Sequence, residues 1–248
     1  MENQFSRTEL IFGEPAMKIL AGSRVAVFGI GGVGGHIVET LVRSGVGAVD
    51  IIDNDKVSES NINRQIIALH STIGKYKVDV CEERMLDINP NVKIVKHKTF
   101  FTPETSEKFD FSQYDYVADA IDTVSGKIEL IVKSQNAGVP VISSMGAGNK
   151  LEPTMLEVED IYKTSVCPLA RVMRNELRKR GINKLKVVYS KEKPVARNKP
   201  NQEASKGEIK IENKAGIKPI PASNAFVPSV AGLIMAGEII KDLINTKL

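Results

Sequence analysis

The chain of 248 residues contains no tryptophan, two cysteines and three histidines. Cys81 and Cys167 cannot supply the four thiolates of a cysteine-only zinc site, and two thiols form no disulfide framework. Such sparing thiol usage fits a reducing compartment. His36, His70 and His97 are scattered, without the spacing of metal ligands. No long hydrophobic run is present. The most apolar stretch, Ala225–Ile240, carries Pro228 and Glu238 and is too short to span a bilayer. The opening residues, Met1-Glu-Asn-Gln-Phe-Ser6, lack the basic-then-apolar layout of a secretory signal. These absences lead to the expectation of a cytoplasmic protein, and 42% hydrophobic residues suffice for a substantial core without staples.

Charge is unevenly spread. Residues 1–162 hold 16 Lys/Arg and 23 Asp/Glu, residues 163–199 hold 12 and 2, and residues 200–248 hold 6 and 5. The local balances are therefore −7, +10 and +1, which add up to the formal +4. A basic block on an acidic body suits a polyanionic partner, although a solvated surface has the same composition.

Hydrophobic periodicity predicts strands at 24–29, 48–53, 92–97, 116–121 and 139–143, with helices at 33–44, 75–88 and 124–136 between them. Residues 54–73 and 102–115 are polar and loop-like. Strands alternating with crossover helices describe a Rossmann-like α/β fold with a doubly wound, mostly parallel sheet. After Gly146-Ala-Gly148 the pattern changes. A strand at 155–158, a basic helix at 169–181, a strand at 186–190, a Lys-, Pro- and Asn-rich loop at 191–218 and a closing helix at 226–243 are expected. We therefore expect one domain over 1–248, with a nucleotide-binding core at 1–150 and a basic C-terminal α/β extension at 151–248.

Gly29, Gly31 and Gly34 form G-x-G-x-x-G between a strand and a helix, and Gly32 and Gly35 widen the opening. Such glycines allow the turn, let backbone approach a phosphate, and let the helix pack closely. Asp53 ends the second strand, where a carboxylate can bond both ribose hydroxyls. That geometry serves NAD and ATP equally. Arg64, Gln65 and Lys77 discriminate, because a triphosphate and its leaving pyrophosphate need cations beyond helix-terminal amides. Asp122, after the fourth strand, could hold Mg2+ against the phosphates, and Asp119 is the weaker ligand candidate. Lys127, near the start of the next helix, could face the same crevice.

As an ordered set, Gly29-Ile-Gly-Gly-Val-Gly34, Asp53-Asn-Asp55, Ser60-Asn-Ile-Asn-Arg-Gln65, Gly74-x-x-Lys77, Ile88-Asn-Pro90 and Asp119-Ala-Ile-Asp122 resemble the ubiquitin-activating-enzyme-like (ThiF/MoeB) adenylyltransferases. The resemblance implies that ATP and Mg2+ are used. Asp53 would hold the ribose, Arg64 and Lys77 the triphosphate, and Asp122 the metal. Asn61 and Gln65 would lie beside the nucleotide. Arg7, in Phe5-Ser-Arg-Thr8, resembles an arginine that reaches a partner subunit's ATP, which implies a homodimer with shared sites. Cys167-Pro-Leu-Ala-Arg171 and Phe226–Gly237 are similar to the tRNA threonylcarbamoyladenosine dehydratase branch (TcdA/CsdL type) of that superfamily. That branch implies tRNA as partner and ATP-dependent cyclisation of its modified adenosine through an acyl-adenylate. Arg171, Arg174, Arg178, Lys179 and Arg180 would then be the leading tRNA contacts.

Three other readings are compatible with parts of the sequence. Adenylation of the C-terminal carboxylate of a small sulfur-carrier protein uses the same nucleotide residues and would favour a working Cys167. An NAD-dependent oxidoreductase accounts for Gly29 to Asp53 but leaves Arg64, Lys77, Asp122 and Arg7 without a task. A binding-only module would hold ATP as a structural ligand.

Overall fold

The computed structural model describes residues 3–196 and 221–247. Most of the loop expected at 191–218 thus lies outside the described residues. Among them, seven strands form one sheet: β1 (Arg24–Phe28), β2 (Ala48–Ile52), β3 (Lys93–His97), β4 (Tyr116–Asp119), β5 (Val141–Ser144), β6 (Leu156–Asp160) and β7 (Lys186–Ser190). Their order is β3-β2-β1-β4-β5-β7-β6. All pairings are parallel except β6 with β7. Chain order reverses between β1 and β4, and a crevice opens there at the carboxyl ends of the strands.

Alternation along the strands divides the core in two. Val25 and Val27 of β1, Val49 and Ile51 of β2 and Ala118 of β4 face one layer. That layer is closed by α2 (Glu14–Ala21), α3 (Gly34–Arg43), α4 (Lys77–Ile88) and α7 (Val227–Lys247). Ala26, Phe28, Val117, Val141 and Val187 face the other layer, under α5 (Val124–Asn136) and α6 (Pro168–Arg178). Such double coverage is what makes the parallel strands read as continuous apolar runs.

The structure departs from the sequence expectations in two places. The stretch 102–115, expected as a polar loop, contributes Phe109, Phe111 and Tyr114 to a buried aromatic cluster with Phe28 and Phe101. Its two short 3-10 turns, Ser106–Lys108 and Phe111–Gln113, have no period for a sequence pattern to reveal. The N-terminal residues form two helices that periodicity did not predict, α1 (Ser6–Phe12) and α2. Helix α1 buries no residue fully, Phe12 packs partly buried against the core, and Gly13 with Pro15 breaks the two helices apart. The C-terminal third extends the same sheet, as an α/β extension should. β7 pairs with β5, and α7 places Ala231, Met235 and Ile239 in the core beside Ile37 and Val38 of α3.

Candidate active site

A cavity of about 390 Å³ opens over the switch point. Its floor is the turn between β1 and α3. Gly29 adopts φ +89°, and a β-carbon on Gly34 would stand 1.7 Å from the Gly29 carbonyl oxygen. Only glycine allows α3 to start this close to the strand end, leaving backbone N–H groups facing the cavity.

Asp53 follows β2 and lines the cavity. Its Oδ2 accepts the Ile30 N–H at 2.7 Å, and its Oδ1 accepts the Asp55 N–H at 2.8 Å. Burial raises its pKa above the ordinary aspartate value, against the opposing pull of Lys77 and the two amides. The Lys77 ammonium, 5% exposed at the start of α4, lies 2.7 Å from Asp55 and 3.7 Å from Asp53. A cation this far out of water is held by its carboxylates and aimed along the cavity wall.

Arg64 comes from the loop after β2. One of its terminal nitrogens, NH1, donates to the Ser60 carbonyl and the Asn63 side chain, which fixes the guanidinium at the cavity edge. Gln65 is buried and its side-chain oxygen has no hydrogen-bond partner. An orphaned acceptor at the wall of a polar cavity fits a donor supplied by a ligand. Asn61 also lines the cavity, but its side-chain oxygen accepts the Ser58 N–H, so it shapes the loop as well. Asp122 lies opposite, exposed, on the loop between β4 and α5. Among the described residues no cluster of three or more His, Cys, Asp or Glu side chains could hold a metal. Asp53 and Asp55 also line the cavity but pair with Lys77, which leaves Asp122 as a carboxylate suited to an ion such as Mg2+ that keeps waters and takes its other ligands from phosphates.

The structure thus brings Gly29, Gly31, Gly32, Asp53, Asn61, Arg64, Gln65, Lys77 and Asp122 around one cavity, with Gly34 behind the turn. Lys127 is not there. It is 1% exposed, and its ammonium donates to Asp119 at 3.0 Å and to the Ser144 carbonyl at 2.7 Å. Asp119 also accepts from Ser143 Oγ at 2.5 Å. This buried set ties the ends of β4 and β5 beneath the cavity, and it withdraws both Asp119 and Lys127 from the crevice. Arg7 is exposed on α1 and does not line the cavity of its own chain.

The basic helix α6 also differs from expectation at one position. Arg174 is half-buried and donates to the carbonyls of Thr164 and Ile161 and to the Thr164 hydroxyl. It is a tie inside the fold, joining α6 to the 3-10 turn Ile161–Lys163 and its capping residue Thr164. Arg178 stacks over the Tyr162 ring at 5.4 Å, and Lys179 and Arg180 pair with Glu176. Exposed pairs of this kind are weak and exchange readily. Arg171 is exposed. Cys81 is wholly buried, with its thiol pKa pushed up to about 12 by desolvation, and Cys167 is buried at the N-cap of α6.

Beyond the expected residues, the cavity is lined by Thr99 and Phe100 after β3, and by Ala147, Gly148, Pro221, Ser223 and Pro228. The last five are small or cyclic and carry no charge, so nothing in the sequence assigned them to the site, although Pro228 falls within the stretch Phe226–Gly237 that carries the dehydratase resemblance.

A phosphate-cradling turn, a strand-end acid and two cations over one cavity define a nucleotide-binding protein built for a reacting triphosphate. The ThiF family model matches residues 5–248, and the chain belongs to the ThiF family. Over 247 residues the chain is 46% identical to the tRNA threonylcarbamoyladenosine dehydratase of Bacillus subtilis, covering 99% of this chain and 96% of that protein. It is also similar to the crystal structure of Escherichia coli tRNA N6-threonylcarbamoyladenosine dehydratase, TcdA, in complex with AMP. That match has a TM-score of 0.85 and 30% identity, and covers 98% of this chain and 95% of the other. The same Escherichia coli enzyme in complex with ATP matches with a TM-score of 0.84 at the same identity and coverage.

Proposed function

We propose that the chain is an ATP-dependent tRNA threonylcarbamoyladenosine dehydratase. The observation that carries this reading is the convergence of Arg64, Lys77 and Asp122 on the cavity floored by the glycine turn and Asp53. ATP would place its ribose on Asp53 and its phosphates over Gly29–Gly34. The carboxylate of the threonylcarbamoyl group attacks the α-phosphorus, and the bond to pyrophosphate breaks. Arg64 and Lys77 neutralise the charge that gathers on the leaving group. The acyl-adenylate is then opened by a nucleophilic atom of the same modification. The ring closes, AMP departs with the former carboxylate oxygen, and the modified nucleoside is lighter by one water. Protein side chains form no covalent bond in this scheme. They position carboxylate against phosphate in a site that is already formed.

Asp122 would hold Mg2+ together with the phosphates, and the metal would supply further charge neutralisation there. We further propose a homodimer in which Arg7 of one copy completes the other copy's site. Two observations support it: α1 presents Leu10 and Ile11 to solvent at 87% and 82% exposure, and Arg7 shares that helix. Arg171, Arg178, Lys179 and Arg180 are the proposed tRNA contacts on α6. No helix among the described residues is long and apolar enough to cross a membrane. We propose that the protein works in the cytoplasm.

The test is incubation with ATP, Mg2+ and tRNA bearing threonylcarbamoyladenosine, read by mass spectrometry of the nucleosides. The expected product is lighter by one water and forms with AMP and pyrophosphate. An unchanged nucleoside, with pyrophosphate exchange driven instead by a small sulfur-carrier protein, would replace this reading.

A further inference from the structure

One part of the cavity lining carries no charge: Ala147, Gly148, Pro221, Ser223 and Pro228. It borders the phosphate end of the site, because a β-carbon on Gly32 would stand 3.3 Å from Pro228 and 3.4 Å from the Arg64 side chain. Asp53 and Lys77 belong to the charged part of the same lining. Pro221 and Ser223 lie in the wall segment 221–224, which leads into α7.

That wall is held by hydrogen bonds from three asparagines. Asn149 follows β5 and sits in the left-handed region at φ 57°. Its N–H donates to the Ala222 carbonyl at 2.8 Å, and its side-chain oxygen accepts the Ala222 N–H at 2.9 Å. Its own carbonyl accepts the Val195 N–H at 2.9 Å. Asn63, beside Arg64, donates to the Ser223 carbonyl at 3.1 Å, and Asn224 donates to the Lys150 carbonyl at 2.7 Å. The approach is close enough that a β-carbon on Gly148 would lie 2.7 Å from the Pro221 ring. A left-handed Asn costs free energy that the surrounding contacts must offset. Here the offset is the pair of hydrogen bonds between Asn149 and Ala222.

We infer that the space against this uncharged lining, next to the glycine turn, is the chamber for the acceptor carboxylate and its planar carbamoyl group, and that Asn149 is a positioning residue that fixes the chamber's wall. The inference rests on the dehydratase reading above and adds to it where the RNA-borne substrate sits. The chemistry fits. A carboxylate that must meet the α-phosphorus gains nothing from a second anion nearby, and a neutral wall excludes water without trapping the charge before it reacts. Asn63 links the wall to Arg64 through the Asn63–Arg64 side-chain bond, so wall and phosphate ligand share one anchor.

The experiment compares steady-state kinetics of the wild type, Asn149→Gly and Asn149→Asp with tRNA bearing threonylcarbamoyladenosine. Glycine keeps the left-handed backbone and removes the acceptor for the Ala222 N–H. Aspartate keeps both. The expected result is a KM for tRNA raised about fivefold or more by Asn149→Gly, the factor carried by one neutral hydrogen bond, with the KM for ATP unchanged. Asn149→Asp restores the wild-type KM for tRNA. A change in the KM for ATP instead, or no change in either, overturns the chamber assignment. Wild-type protein that removes no water from the RNA overturns the dehydratase reading and the chamber's ligand with it. If Asn149→Gly does not fold, Ala147→Leu replaces it: a side chain filling the chamber is expected to abolish turnover while leaving ATP binding intact. Retained turnover would overturn the inference.

Discussion

The Asp53 carboxylate accepts the Ile30 N–H at 2.7 Å, so the end of β2 is tied directly to the turn that follows β1. The acid proposed to hold the ribose and the turn proposed to hold the phosphates are therefore linked directly. The same carboxylate is desolvated, and burial raises its pKa above that of an ordinary aspartate.

That shift has a direction in pH. A ribose hydroxyl needs an ionised acceptor, so ATP affinity is expected to fall on acidification at a higher pH than a solvated aspartate would give. Apo stability has the opposite sense. A carboxyl with a raised folded-state pKa contributes its full stability below the unfolded value and loses it as pH rises through the folded value. Asn in place of Asp53 should weaken ATP binding by about 1.5–3 kcal/mol, the cost of a lost bond to a charged group. It should also remove the acidic step from a calorimetric Kd-against-pH profile. A step that persists in Asp53→Asn would assign it to another group.

Gly34 and Gly31 contrast a crowded glycine with an uncrowded one in the same turn. A β-carbon on Gly34 meets backbone at 1.7 Å, whereas on Gly31 the nearest atom is the end of the Gln65 side chain at 3.8 Å. Gly34→Ala is expected to cost about 3 kcal/mol or more in urea denaturation, because backbone cannot move aside cheaply. Gly31→Ala should leave stability within about 0.5 kcal/mol, the range of substitutions away from buried features. Equal losses at the two positions would contradict the close approach of α3 to β1.

How much of this could be read from the sequence depended on periodicity. Helix α5 occupies Val124–Asn136, the range predicted, because its apolar positions recur at helical spacing between a strand and Gly138. The order Asp53, Arg64, Lys77, Asp122 was legible because each follows a strand end, where loops converge. Contacts across elements were not. Lys127 looked like a crevice cation by position, yet the buried Asp119 and the Ser144 carbonyl claim it. The asparagine-held wall at 221–224 was silent because Asn149, Ala222 and Ser223 are distant in sequence and carry no motif. Helix α1 was missed because it is seven residues long and leaves Leu10 and Ile11 in solvent, so it has no periodic apolar face.

Helix α6 offers a test that divides its arginines. Arg174 is bonded inward to Thr164 and Ile161, so Arg174→Ala should cost about 1–3 kcal/mol of stability and change the salt dependence of tRNA binding little. Arg171 and Arg178 stay on the outer surface, and stacking on Tyr162 leaves the Arg178 N–H groups available to phosphate. Neutralising both should lower the slope of log K against log salt by about 2 if each meets one phosphate. Filter binding between low and moderate salt measures it. An unchanged slope would move the RNA interface off this helix.

The proposed sharing of Arg7 can be tested by mixing two inactive proteins. Arg7 is not among the residues that line the site cavity of its own chain, while Asp122 is, so the two residues should fail independently. Arg7→Ala and Asp122→Ala are each expected to lose nearly all turnover as homodimers. In a heterodimer, the chain carrying Arg7→Ala keeps a complete cavity and receives Arg7 from its partner, while the opposite site lacks both residues. Random association of equal amounts gives half heterodimers with one working site of two, so co-refolded mixtures should recover about a quarter of wild-type turnover. Leu10→Asp with Ile11→Asp adds an independent arm, since charging two residues that are 87% and 82% exposed in one copy should leave its fold intact. Sedimentation is then expected to show a monomer without turnover. A monomeric wild type, or a mixture no more active than its parents, would place Arg7 outside the reaction and leave the triphosphate, among the described residues, to Arg64 and Lys77.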